Sequence, residues 1–493
     1  MRTRLTAILL AAIVLPAAAA VPAQGASRLV VRGAGFGHGV GMSQYGAFGF
    51  ANQGKDHAFI LNHYYSGTQL AKLSGETEVR VLLRNAGRIA FRGAAGVAGG
   101  RRLDPAQTYY GSRVLGNVAL RSAGGRDLGT YAAPLRISGA PTGVLVRGRA
   151  ANGVTDGRYR GDLEVRPAAF GVAAINVVRL EDYVRGVVPG EVPTSWPAQA
   201  LRAQAVAART YAMATRKDGD GFDHYADTRS QMYPGMRAEV ASTNAAVTAT
   251  AGEVVAYQGK PIVTYYFSTS GGRTENVENS FLGAEPQPYL TSVADPYDGA
   301  SPRHRWMRRL TLASAGRRLG SLVKGELRQI RVLRRGRSPR VVRAQVVGTG
   351  GTTNVTGPRL RTRLGLYDTW ARFTVITSRG ARGDGNTPRS SGATGSGPTG
   401  SGGAAPGGGT ARSAASIALL RGEATTVAGT IRGRVDPAVA RRQIVVERHD
   451  GARWIPISQT LTRAGGRYRT TVPTRGLYRV RYAGEAGPAV RIR

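Results

Sequence analysis

Apolar and polar positions divide the chain by their period. From Thr77 to Val178 the apolar residues alternate in short runs. Examples are Glu78-Val79-Arg80-Val81-Leu82-Leu83, Gly143-Val144-Leu145-Val146-Arg147 and Ala174-Ile175-Asn176-Val177-Val178. A period of two predicts strands with one face buried. The period then changes. Over Pro197–Arg216, Leu201, Ala205, Ala208 and Ala212 recur at helical spacing, while Arg202, Arg209 and Arg216 fall seven apart on the other side. This predicts an amphipathic helix with Pro197 in its first turn and Thr194 or Ser195 as its cap. Further helices are expected at Gly41–Gln53, at Asp56–Tyr65 and at Met236–Thr250. Strands are expected at Glu253–Tyr257 and Ile262–Phe267. Short alternating runs return near the end, as in Gln443–Arg448, Tyr468–Val472 and Leu477–Tyr482, separated by Gly or Pro. They read as a small all-β sandwich. The expected class is therefore α+β: a mixed region with two or more helices and several antiparallel strands, followed by the sandwich.

Composition sets the boundaries. Residues 1–23 have the form of a secretory signal, with Arg2 and Arg4 ahead of an Ala-rich apolar run and small residues before Gln24. Residues 28–378 are globular in composition, with a strand-rich part at 77–178 and a glutamate and helix block at 179–290. Residues 379–415 form a Gly/Ser/Pro/Thr tract that cannot bury a core and is expected to act as a linker. The sandwich occupies 416–493. No later stretch has the ~18 apolar residues that a spanning helix needs. The expected location is extracytoplasmic, at the cell wall.

Charge narrows the partners. Lys+Arg number 68 against 30 Asp+Glu, for a net +38, and only Lys55, Lys72, Lys217, Lys260 and Lys324 are lysines. Such an excess makes a positive field over much of the surface. An exported chain directs that field at anionic wall polymers and peptidoglycan carboxylates, and no nucleic acid is expected. The chain has no Cys, which excludes disulfides, thiolate catalysis and thiolate metal sites. No metal and no cofactor are expected.

The most pronounced local feature is Pro189-Gly190-Glu191-Val192-Pro193. Two prolines are expected to make a stiff loop that holds the carboxylate still, and the glycine admits close approach of a ligand backbone. General acid catalysis needs such fixed geometry before it needs a tuned pKa. Glu181 and Asp182 read as the solvated start of a strand. Ser230-Gln231-Met232-Tyr233-Pro234-Gly235 puts an amide and an aromatic ring in a turn, groups suited to sugars. The hydroxyl-rich stretch Tyr266–Glu275 offers donors for glycan hydroxyls. In Gly35-Phe36-Gly37-His38-Gly39-Val40-Gly41-Met42-Ser43-Gln44-Tyr45-Gly46-Ala47, alternate glycines surround one His. His224, with Asp223 and Asp227 nearby, reads as part of a solvated polar loop.

Taken together, Tyr183-Val184-Arg185-Gly186-Val187-Val188-Pro189-Gly190-Glu191-Val192-Pro193, then Trp196, then Ala200–Tyr211, resemble the signature of the stage II sporulation protein D / LytB amidase enhancer family. The Gln231/Tyr233/Gly235 turn, the Ser268–Glu275 stretch and the Gly-His-Gly segment resemble further family elements, over about Gly35 to Tyr289. The resemblance implies a lytic transglycosylase acting on peptidoglycan glycan strands, with Glu191 as the catalytic residue. It implies Gln231, Tyr233, Ser268, Ser270, Thr274, His38 and Gln44 as the groups that meet the glycan. The name of the family also implies a non-catalytic alternative, in which the chain assists a wall amidase or only binds wall. Two departures stand out. In the sporulation proteins the Gly-His-Gly block lies near the C-terminal end, whereas here it precedes the glutamate. Some members also carry a His/Cys zinc site, and here His224 has no Cys to join it.

Overall fold

The computed structural model describes residues 26–217, 219, 221–382 and 428–492. The expected signal segment at 1–23 and residues 383–415 of the expected linker lie outside them. The fold is α+β, with eight α-helices and several antiparallel sheets among the described residues. The chain divides into two compact units. The smaller takes described residues 26–30, Arg309–Ala315, 373–382 and 428–492, and the larger takes Val31–Arg308 and Gly316–Arg372.

In the smaller unit, Gly429–Asp436 pairs antiparallel with 375–382 on one side and Arg467–Val472 on the other. A second antiparallel sheet is built on Gln443–His449, which pairs with Trp454–Leu461 and Gly476–Tyr482. Ile376, Ile431, Val435, Ile444, Val446, Tyr468, Val480 and Ile492 form its core. The alternating runs predicted such strands, because period-two apolar residues bury one face of each sheet, but the first sheet also takes 375–382, which the sequence placed in the preceding globular region and the linker.

The larger unit rests on two six-stranded sheets. One is ordered (His224–Tyr225)-(Glu78–Ala86)-(Val172–Arg179)-(Asp162–Pro167)-(Leu135–Gly139)-(Ala94–Val97). Its central strand Val172–Arg179 is buried along nearly its whole length, which accounts for its unbroken apolar run. The other is ordered (Thr155–Tyr159)-(Val144–Arg149)-(Arg88–Arg92)-(Thr108–Val114)-(Asn117–Ser122)-(Asp127–Tyr131).

The helices that carry the site are α1 (Gln44–Asn52), α2 (His57–Tyr64), α3 (Leu180–Glu191), α4 (Ala198–Ala214) and α5 (Ala241–Ala249). The helix expected over 236–250 is a single 3-10 turn at Gly235–Ala238 followed by α5. Pro197, expected inside the first turn of α4, is its N-cap and makes no side-chain cap bond. The alanines of α4 explain its placement. Leu201, Ala205, Ala208 and Ala212 join the core beneath the first sheet, while Ala203, Val206 and Ala207 join a second core with Val40, Met42, Ala47 and Tyr64. Small side chains on both faces let the helix be enclosed on both sides.

Two readings of the helix block change. Glu181 and Asp182 open α3 rather than a strand. Arg209, expected on a solvated face, is fully buried and grips Glu181 with two bonds of 2.7 Å each. It also donates to the carbonyls of Glu253 and Val247. The bidentate fork satisfies a cation that burial would otherwise make costly.

Candidate functional site

Glu191 is the last residue of α3, not part of a loop. Pro189 stands within the final turn and Pro193 follows the helix end, where proline cannot continue it. Gly186 and Gly190 lie one turn apart on the same face. A Cβ on Gly186 would lie 2.5 Å from the Tyr233 ring, and one on Gly190 would lie 2.8 Å from Pro234 Cδ and 3.0 Å from the Met232 carbonyl. The close approach that Gly190 permits is thus that of the protein's own 232–235 segment. Its consequence is functional: the Met232 N–H reaches Glu191 Oε1 at 2.7 Å. Gly190→Ala is expected to cost about 1–3 kcal/mol by overpacking. It should also displace this donor, which chemical denaturation together with a shift in the pH dependence would show.

Glu191 is half-buried. Loss of solvent around its carboxyl raises its pKa, against the opposing pull of the Met232 N–H and the Tyr266 hydroxyl. Its seat at a helix C-terminus acts in the same direction as desolvation. Tyr266 has one hydroxyl proton and two acceptors. It donates to Gln231 Oε1 at 2.8 Å. Burial drives the Tyr266 phenol pKa well above its ordinary value, so the phenol itself stays neutral. Gln231 is held by its own amide, which donates to Tyr183 Oη at 3.2 Å and to the Ala208 carbonyl at 3.3 Å.

The Gly-His-Gly segment comes to this place from the other end of the chain. Met42–Ser43 pairs in parallel with Tyr266–Phe267, and Phe36 bridges to Thr269. Gln44 then donates to the Glu191 carbonyl and to Gln204 Oε1, both at 3.3 Å. His38 Nδ1 accepts from the Val40 N–H at 3.2 Å, so its proton is on Nε2, which donates to the Tyr266 carbonyl at 3.0 Å. Desolvation lowers the His38 pKa to about 3, so this His is a neutral strut behind Tyr266 throughout the ordinary pH range. The segment's early position in the sequence is therefore no obstacle, since strand pairing brings it beside the glutamate.

The other expected residues sit elsewhere. Tyr233 is buried, with its ring against Gly186 and its hydroxyl donating to Asn176 at 2.7 Å. Ser270 and Thr274 are fully buried: Ser270 donates to Asp298, and Thr274 accepts from the Val293 N–H. These bonds hold the 268–275 stretch together and leave neither hydroxyl facing solvent. Ser268 is half-exposed and bonds Thr269 Oγ1 at 3.1 Å. His224 is buried on the Ala212 carbonyl, while Asp223 faces Arg80 and Arg216, and Asp227 pairs with Arg229. Among the described residues no group of three His, Asp or Glu is placed to hold a metal.

The sequence marked Trp196 only within the family motif and did not mark Tyr45 or Phe48 as site residues. Tyr45 and Phe48 are three apart on α1, and Trp196 lies five residues beyond Glu191. The Trp196 ring centroid is 5.1 Å from each of the others, and all three are half-buried. Tyr45 directly follows Gln44, which touches the glutamate backbone. The i,i+3 spacing of two aromatics on a short helix was the available signal.

A family model described as stage II sporulation protein matches residues 169–257, which contain Glu191 and α4. The stage II sporulation protein D of Bacillus subtilis (strain 168) is 31% identical over 230 residues, covering 42% of this chain and 65% of that protein. The protein of the same name from Bacillus amyloliquefaciens is 32% identical over 232 residues, with the same coverage. An amidase enhancer of Bacillus subtilis (strain 168) is 38% identical over 115 residues, 23% of this chain and 15% of that protein. The chain spans just under two thirds of the length of the two sporulation proteins it matches. The family seen in the sequence motifs is the family these matches give.

Proposed function

We propose that this chain, whose residues 169–257 match the stage II sporulation protein family model, is a cell-wall protein that cleaves peptidoglycan glycan strands as a lytic transglycosylase. The observation that carries this reading is the Glu191 carboxyl, desolvated so that its acid form is favoured and touched by Met232 N–H and Tyr266 Oη. Glycoside hydrolysis generally uses two carboxylates, one on each side of the bond. A single one suffices if the substrate supplies the nucleophile. Glu191 gives its proton to the glycosidic oxygen as the C1–O bond breaks. The resulting carboxylate takes the proton of the muramyl C6 hydroxyl, and O6 bonds to C1 to close a 1,6-anhydro ring. The proton returns to Glu191, and no water is consumed. Met232 N–H and Tyr266 Oη hold the carboxylate between the two transfers, as hydrogen bonds to its charged form do.

The Tyr45/Phe48/Trp196 ledge is assigned the sugar face, because aromatic rings stack on the apolar faces of pyranose rings and keep their energy when the site dries. Tyr45→Ala with Phe48→Ala is expected to raise KM for denuded glycan by about tenfold and leave kcat within about threefold, since truncating such anchors costs roughly 1–2 kcal/mol. An unchanged KM would remove the ledge from the site.

The amidase enhancer relative supports a second reading, in which the chain assists an amidase without cutting glycan. Mass spectrometry of denuded strands separates the two. Muramyl ends bearing the 1,6-anhydro ring, lost in Glu191→Gln, support the enzyme. Their absence, with faster amidase turnover on whole wall, supports the enhancer.

A further inference from the structure

Among the described residues seven arginines lie over rings, and three of them are tied to a carboxylate as well. Arg229 lies over Tyr225 and pairs with Asp227, Arg340 over Phe267 with Asp368, and Arg479 over Trp454 with Glu447. Arg303, Arg305 and Arg308 differ. Arg303 lies 4.0 Å and Arg308 5.0 Å from the centroid of the Tyr367 ring, and Arg305 lies 5.7 Å from that of Trp370. Among the described residues none of the three has a carboxylate within ion-pair distance, and the guanidinium groups of Arg303 and Arg308 donate no hydrogen bond. Arg305 engages one nitrogen, Nη1, on the carbonyls of Gly271 and His304. Its Nε and Nη2 make no such bond.

Three like charges gathered without a counter-ion repel one another. The fold nonetheless fixes them. Gly35 N–H bonds the Arg303 carbonyl at 3.0 Å, Gly37 N–H bonds the Tyr367 carbonyl at 3.2 Å, and the Trp306 indole N–H bonds the Gly35 carbonyl at 2.8 Å. Phe36 and Trp306 meet the Tyr367 ring edge-on at 5.6 and 5.7 Å. The arginines stand on a rigid aromatic base, and a guanidinium lying on a ring keeps its in-plane N–H fork available. Phe36 is 41% exposed at the edge of this base, and Arg305 is exposed. A cluster of preorganised forks lacking its anion has the composition of an anion site, and tetrahedral phosphate offers several acceptor oxygens to such forks at once.

We propose that Arg303, Arg305 and Arg308, seated on Tyr367 and Trp370, bind the phosphate groups of an anionic wall polymer. The choice of a wall polymer rests on the cell-wall reading above; the anion chemistry does not. The site uses none of the groups around Glu191, so its function is separable from glycan cleavage.

The test is calorimetric titration of the full chain with poly(glycerol phosphate), which contains no glycosidic bond for Glu191 to act on. Binding by wild type is expected. The triple variant R303A/R305A/R308A is expected to bind at least about 100-fold more weakly, since hydrogen bonds to charged groups are the strong ones. Lysines at the same three positions keep the charge but lose the fork and the stacking, and are expected to lose about tenfold or more. The control R328A/R331A/R343A removes three exposed arginines from another sheet and is expected to stay within about twofold of wild type. The proposal is overturned if the polymer does not bind, if the lysine variant binds like wild type, if the control loses as much as the patch variant, or if single-stranded DNA of equal phosphate count binds as tightly. Cleavage of soluble glycan by the patch variant should match wild type. Failure of glycan cleavage in wild type would leave this site standing and remove only the transglycosylase reading.

Discussion

Glu191→Gln is expected to lower the formation of 1,6-anhydro ends from denuded glycan by about 10²–10⁴-fold, the range that one positioned general acid contributes. Substrate affinity should stay within a few-fold, because Gln keeps the volume and still accepts from the Met232 N–H. The pH dependence follows from the direction of the shift. Desolvation raises the Glu191 pKa, and the proposed mechanism starts from the protonated form, so activity is expected to fall as pH rises through that raised value. His38 contributes no limb in the ordinary range, since burial holds its pKa at about 3. Stability follows the same linkage. A raised native pKa means that the stabilising contribution of Glu191 is fully present below the unfolded-state pKa and is lost as pH rises through the native one. Gln has no such loss. Glu191→Gln should therefore be as stable as wild type in acid and more stable near neutrality, by about 0.5–2 kcal/mol as relieved functional sites commonly are. A stability difference that does not change with pH would contradict the desolvated carboxyl.

Asp368→Ala is expected to destabilise the larger unit by about 3–5 kcal/mol, the cost of leaving a buried charge without its partner. Arg340 and Asp368 are both fully buried, and Arg340 Nη2 meets Asp368 Oδ2 at 2.9 Å. Arg340 also donates to the carbonyls of Ser270 and Arg273, so a single guanidinium ties Asp368 to the 268–275 stretch. Two of the four alternate glycines of the Gly-His-Gly segment, Gly35 and Gly39, face this pair, while Gly37 faces Phe267 and Gly41 the Tyr265 carbonyl. A Cβ on Gly39 would lie 2.4 Å from Arg340 Nε, and one on Gly35 would lie 2.8 Å from Asp368 Oδ2, both at positive φ. These two glycines are there because the ion pair leaves no room for side chains. Replacing both partners, as in Arg340→Met with Asp368→Leu, should recover most of the loss, because an apolar pair of similar volume needs no desolvation. Urea denaturation of the single and double variants checks this. Additive losses would contradict the coupling.

The sequence made the sheets and α4 legible because their periods are regular. It made Glu191 legible because two prolines and a glycine frame it. What it hid was tertiary. The framing prolines read as a loop, yet the first of them is accommodated in the last turn of α3. Gly190 read as room for a ligand, and the segment that approaches is the chain's own 232–235. Arg209 read as solvated because its spacing matched Arg202 and Arg216, and only the fold brings Glu181 to it. Ser270 and Thr274 look like ligand donors as residue types, but Asp298 and the Val293 N–H engage them inside the protein. Tyr266 read only as the start of a hydroxyl-rich stretch, since its place beside Glu191 depends on a strand pairing between positions more than two hundred residues apart. The matched family residues end at 257, so neither Tyr266 nor the arginines on Tyr367 fall within them.

The central claim is that one carboxyl moves a proton out and back while the sugar supplies its own nucleophile. Cleavage of denuded glycan in water enriched in oxygen-18 tests it most directly. The account predicts new muramyl ends that carry no heavy oxygen and are lighter than hydrolysed ends by one water. One heavy oxygen incorporated per cut would mean that water is the nucleophile, and would contradict it.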